Sequence, residues 1–133
     1  MVNVIEHRFP LDIETKYTEG ECHTLSKALL KDDPSGRIYL LIWTEILNGR
    51  RVRVLTHSYY YNRGIYSDII ASYLEEHHRE MFIWWYNNYE MNPDNFSIIP
   101  IENSDVDMYD YNICSDSVDL GIINRIKEIR SEM

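Results

Sequence analysis

The apolar positions of this chain alternate between helical and strand spacing. Leu25, Ala28 and Leu29 recur at helical intervals, which predicts a helix over 22–31 that opens at Cys22. The run "DDPSG" at 32–36 ends it, since proline and glycine do not continue a helix. Three strand-like runs follow, at 37–47, 50–61 and 65–70, rich in β-branched and aromatic residues. Asn48-Gly49 between the first two is a strong signal for a type I′ hairpin turn, which needs φ > 0 at both central residues. Val52 and Val54 alternate with Arg51 and Arg53, giving one wet face. "NRG" at 62–64 turns the chain again, so the three runs form an antiparallel meander.

A second helix is expected over 72–89, with Ser72 as N-cap and Glu75 completing a capping box. Its apolar stripe is Leu74, His78, Met81, Phe82, Trp85 and Tyr89. "FSIIPI" at 96–101 suits an edge strand, because Pro100 has no ladder donor. Residues 102–117 read as an acidic loop, and 118–130 as a closing helix with Leu120, Ile123, Ile126 and Ile129 inward. Residues 1–19 show no clear period, and Pro10 suggests an extended lead-in. The order gives an α+β fold: a helix carrying the cysteine, a three-strand meander, a long helix and a C-terminal helix.

Length and composition narrow this picture. The 133 residues suit a single domain, 1–133, with a core that needs no disulfides. No apolar run has the ~20 residues needed to cross a bilayer, and the charged start "MVNVIEHRFPLDIETK" does not read as a signal peptide. A cytoplasmic protein with Cys22 and Cys114 reduced is therefore expected. The net charge of −9 opposes nucleic-acid phosphates and anionic membranes; it leaves open a basic protein partner and also fits a nucleic-acid mimic.

The chemistry centres on "GECHTLSKALL". A nucleophilic cysteine needs a lowered pKa, a base, and a group that orients the base. A helix start supplies the first, through its free N–H groups and dipole. Gly20 permits an unusual backbone angle and close substrate approach. His57 on the second strand and Asp68 on the third supply the rest. With a two-residue Asn62-Arg63 loop they become direct cross-strand neighbours. A one-residue slip would send Asp68 to the opposite face.

"GECHTLSKAL" followed by "LTHSYYYNRGIYSDIIA" resembles the papain-like cysteine superfamily in its circularly arranged form. That form includes transglutaminase-like and related amidase domains. The pattern is G-x-C at a helix start, a histidine in a strand, and an aspartate about ten residues on in the next strand. It spans residues 20–71, roughly two fifths of the chain. The resemblance implies a Cys-His-Asp triad acting on acyl or amide carbonyls: Cys22 as nucleophile, His57 as general base and acid, Asp68 as orienting residue. It implies a protein or peptide substrate, with no metal and no cofactor. The family often places a glutamine or an aromatic upstream for its oxyanion hole. This chain has no glutamine, so Tyr17, Thr18 or the Cys22 backbone N–H is expected there. His23 stands where the family has an aromatic after the cysteine.

Each residue also has a plainer reading. Cys22 can be a small buried hydrophobe, His57 a half-buried strand residue, and Asp68 a solvated acid near a turn. His77 and His78 lack metal-site spacing, and Asp105, Asp107 and Asp110 lack a calcium loop's glycine. Trp84 and Trp85 read as core, and Cys114 as the poorer nucleophile among acids. Two functions follow: a cysteine hydrolase or acyltransferase, or an acidic inhibitor or immunity-type protein of the phage or plasmid kind. The second would use carboxylates and Tyr59, Tyr60, Tyr61, Tyr109 and Tyr111 against a basic partner.

Overall fold

The computed structural model describes residues 4–18, 21–78, 80, 95–109 and 118–133. It is an α+β protein with an antiparallel sheet. The strands are β1 (Val4–Glu6), β2 (Arg37–Leu47), β3 (Arg50–Asn62), β4 (Ile65–Ser67), β5 (Ala71–Leu74) and β6 (Phe96–Ile101). Among the described residues, the helices are α1 (Leu11–Thr18), α2 (Cys22–Asp32) and α3 (Leu120–Ser131). Short 3-10 turns cover Glu75–His77 and Asn103–Tyr109. The six strands lie in the order β1-β5-β4-β3-β2-β6. No helix among the described residues is long and apolar enough to cross a membrane.

The β2–β3 hairpin turns at Asn48 and Gly49, with φ of 52° and 76°, the type I′ signature expected from the sequence. Pro100 lies in β6, an edge strand, opposite Tyr39. Helix α2 begins at Cys22 and runs to Asp32, where the "DDPSG" segment stops it. These elements formed as local chemistry dictated.

Other segments depart from expectation. Residues 11–18 form a helix rather than an extended lead-in. The Pro10 carbonyl accepts the N–H groups of Ile13 and Glu14, and Asp12 and Glu14 place acids in the first turn. Proline at a helix start loses no needed donor. Ser72 is not a helix cap. It sits in β5, between β4 and β1, fully buried. Pairing on both sides overrides the local capping signal. Glu75, the expected capping partner, instead accepts the Tyr61 hydroxyl at 2.6 Å. The expected stripe residues Met81, Phe82, Trp85 and Tyr89, and Trp84, lie outside the described residues. So do Gly20, Asp110, Tyr111 and Cys114. In α3, Leu120 is 70% exposed, and Ile122 takes its place beside Ile123, Ile126 and Ile129. Asp119 caps that helix through the Gly121 N–H, which leaves Leu120 in the outward first turn.

The sheet's two faces differ in chemistry. One face, with Ile38, Leu40, Ile42 and Tyr60, packs against Leu25, Leu29 and Leu30 of α2 and Ile122, Ile123 and Ile126 of α3. The other carries Leu41, Tyr59, Tyr66 and Tyr73. Tyr59 and Tyr60 are buried, contrary to their expected exposure. They are core residues, with Tyr60 donating its hydroxyl to the Asp33 carbonyl.

Candidate active site

Asp68 reaches His57 by an unexpected route. The β3–β4 turn is Arg63-Gly64, with φ of 53° and 76°, rather than Asn62-Arg63. Asn62 therefore pairs with Ile65, and Tyr60 with Ser67. The shift from the expected register is two residues. An even shift keeps each side chain on its face, where a one-residue slip would reverse it. Continued past Ser67, this register would set Asp68 opposite Tyr59, diagonal to His57. The strand ends instead, and Asp68 enters a tight turn whose N–H bonds the Ala71 carbonyl at 3.1 Å.

The turn supplies Asp68 with donors. Its Oδ1 accepts the N–H groups of Ile70 at 2.9 Å and Ala71 at 3.0 Å. Its Oδ2 lies 2.8 Å from His57 Nε2. Both side chains are buried, at 6% and 4% exposure. A carboxylate only accepts, so Nε2 carries the proton. The Cys22 thiol and the same ring act on each other, the ring lowering the thiol's pKa and the thiol raising the ring's.

Helix α2 covers the Tyr60 face, whereas the His57 ring packs edge-on against Tyr59, 4.7 Å away, on the aromatic face. The Ser58 backbone N–H also acts on the Cys22 thiol, and β4 pairs with β3 no further than Tyr60.

Electrostatics favour a charge-separated pair. Burial works against a charged His57 ring, but bonds to Asp68 and Cys22 outweigh it and push the pKa up to about 10. Burial likewise raises the Cys22 thiol. The His57 bond and charge, with the N–H groups of Ser58 and His23, outweigh burial and hold the thiol below its ordinary value. Burial would raise Asp68 too, yet His57 and the Ala71 N–H hold it below the usual carboxylate range. No acid lies in the first turn of α2 to oppose a thiolate.

His23 locks the neighbourhood. Its Nε2 lies 2.6 Å from the Val106 carbonyl, which only accepts, so Nε2 is protonated. Nδ1, 3.0 Å from Ser58 Oγ, then accepts that hydroxyl in the neutral ring. The residue after the cysteine thus ties α2 to β3 and to the 103–109 segment. Two expected oxyanion donors are otherwise engaged: Tyr17 is 3% exposed within the core, and Thr18 donates its hydroxyl to the Glu14 carbonyl at 2.8 Å. The Cys22 N–H lies in the first helical turn, where no intrahelical acceptor exists.

The weaker metal candidates scatter. Asp107 pairs with Lys27 at 2.6 Å, His77 faces Glu76 and Glu80, and His78 stacks near Tyr73. Among the described residues, no group of three or more His, Cys, Asp or Glu side chains could hold a metal ion.

Sequence reading missed His7, Ser72 and Arg130, which surround the Asp68 turn. One signal was available: an aspartate leading a short turn bonds backbone N–H groups two and three residues on. Comparison with protein-family models, curated proteins and solved structures finds no match to this chain.

Proposed function

We propose that this chain is a papain-like cysteine hydrolase or acyltransferase that acts on a protein or peptide amide. The observation that carries this reading is the buried His57–Asp68 pair, 2.8 Å apart, together with the mutual influence of the Cys22 thiol and the His57 ring. Cys22 is the nucleophile and attacks the substrate carbonyl as thiolate. The His57 imidazolium then gives its proton to the leaving amine, which leaves a thioester on Cys22. Neutral His57 next takes a proton from the incoming water or amine, and thiolate departs. Asp68 holds the ring orientation throughout. The Cys22 N–H, at the helix start, is the donor best placed for the developing oxyanion. Hydrolysis, deamidation and transamidation share these steps and differ in the second nucleophile.

Alkylation tests the proposal. Iodoacetamide at neutral pH labels Cys22 much faster than Cys114 in the folded protein. His57→Ala slows labelling of Cys22 and moves its pH inflection upward. Equal rates at both cysteines, or a Cys22 rate indifferent to His57→Ala, sinks the enzyme reading.

A further inference from the structure

The Asp68 turn is gripped from outside the triad by a buried chain of hydrogen bonds. His7 is 1% exposed and follows β1. Its backbone N–H donates to the Ile70 carbonyl at 2.8 Å. Its ring Nδ1 lies 3.2 Å from the Ile69 carbonyl, and its Nε2 lies 2.8 Å from Ser72 Oγ. Ser72 Oγ is 2.6 Å from Ser67 Oγ, its cross-strand partner at the other end of the turn. Arg130 Nη1 reaches Ser67 Oγ at 2.6 Å. The same guanidinium donates to the Ile65 and Asn62 carbonyls and lies over the Tyr60 ring.

Both ends of this chain impose the same direction. A carbonyl only accepts, so His7 Nδ1 carries the proton that bonds Ile69. A guanidinium only donates, so Ser67 accepts from Arg130. Ser67 then gives its single proton to Ser72, and Ser72 gives its own to His7 Nε2. Each hydroxyl donates once, and the neutral ring uses both nitrogens. A doubly protonated ring would turn Ser72 around and strand the Ser67 proton, since Ser67 would then accept from both Ser72 and Arg130. The surrounding charges are Asp68, which favours a charged ring, and Arg125 of α3, which opposes it, with the Arg130 guanidinium beyond Ser67. Burial is the largest influence on His7 and holds its pKa below the ordinary value.

We propose that His7 is a positioning residue, held in its neutral Nδ1–H form by the Arg130–Ser67–Ser72 chain, which fixes the turn that aims Asp68 at His57. This rests on the reading of Asp68 as the orienter of a reactive Cys22–His57 pair. The turn has only Ile69 and Ile70 between Asp68 and Ala71, and His7 meets the carbonyls of both. Loosening that grip lets the carboxylate swing from Nε2 without touching the triad.

Two measurements test it. Nitrogen-15 imidazole NMR of the wild-type protein reads the tautomer directly. The expected result is a neutral Nδ1–H ring at His7 from neutral pH down through the ordinary histidine range; an Nε2–H or charged ring there overturns the proposal. The second is the pH profile of Cys22 alkylation in His7→Phe and His7→Asn. His7→Phe fills the site without the donor and slows labelling at neutral pH by about tenfold, the effect of a profile displaced by one pH unit. His7→Asn can still donate to Ile69 and restores most of the rate. A folded His7→Phe protein with the wild-type profile overturns the positioning role. If His7→Phe fails to fold, Ser72→Ala carries the same expectation, because it breaks the chain at its middle. Asp68→Ala separates the two levels. If it also leaves the profile unmoved, the triad reading has failed; if it displaces the profile and neither His7→Phe nor Ser72→Ala does, only the role of His7 has.

Discussion

His57 Nε2 and Asp68 Oδ2 lie 2.8 Å apart although Asp68 has already left the sheet. The pair does not depend on a continuous strand ladder. It depends on a turn that spends one carboxylate oxygen on two backbone N–H groups and leaves the other for the imidazole.

Removing the carboxylate should therefore disturb reactivity more than fold. Asp68→Asn keeps an oxygen for the turn but loses the charge that steadies the imidazolium. Cys22 alkylation at neutral pH should fall by about tenfold or more, with near-ultraviolet circular dichroism unchanged. An unaltered rate would show that Asp68 is a turn residue only.

Stability should depend on pH at both ends. Asp68 is held below its ordinary 3.8, so its contribution is present above 3.8 and drains as pH falls through the lower folded value. His57 is raised from 6.5 to about 10, so its contribution is complete below 6.5 and is lost as pH rises through about 10. Denaturant midpoints across pH should show both limbs in the wild type. Asp68→Asn should flatten the acid limb, and His57→Gln the alkaline one.

Turnover should lose its acid catalyst in the same alkaline range. An activated thioester or amide substrate should be processed more slowly above about 10, where neutral His57 no longer protonates the leaving group. A rate that climbs steadily with pH would place proton transfer outside His57.

The two hairpin glycines separate backbone strain from register. Gly49 and Gly64 both have φ of 76°, with nothing within 4 Å of an added Cβ. Alanine at either should cost roughly 1–2 kcal/mol from the left-handed conformation alone. Gly64→Ala should in addition slow Cys22 alkylation, because its turn sets the β3–β4 register that delivers Asp68. Gly49→Ala should not.

Core substitutions should rank by burial. Ile126 is 0% exposed between α3 and the sheet, and Ile126→Ala should cost about 2–5 kcal/mol in urea unfolding. Tyr60→Phe keeps the ring under Arg130 and loses the bond to the Asp33 carbonyl, at a cost of roughly 1 kcal/mol.

Local chemistry determined much of this molecule. Helical spacing after Cys22, the "DDPSG" stop, the Asn48-Gly49 turn and the proline-bearing edge strand all formed as read, because each rests on backbone preferences acting within a few residues. The pairing of His57 with Asp68 was also legible, since two polar residues flanking a hairpin are a short-range pattern. Only the tertiary structure decided how they meet. The turn slid to Arg63-Gly64 because that pair places glycine in the second left-handed position. Ser72 became a strand residue because β4 and β1 offered it ladders on both sides. His7 and Arg130 came to the Asp68 turn from the two ends of the chain, 123 positions apart. No local period can signal such a meeting, because it is made by sheet pairing at one end and helix packing at the other.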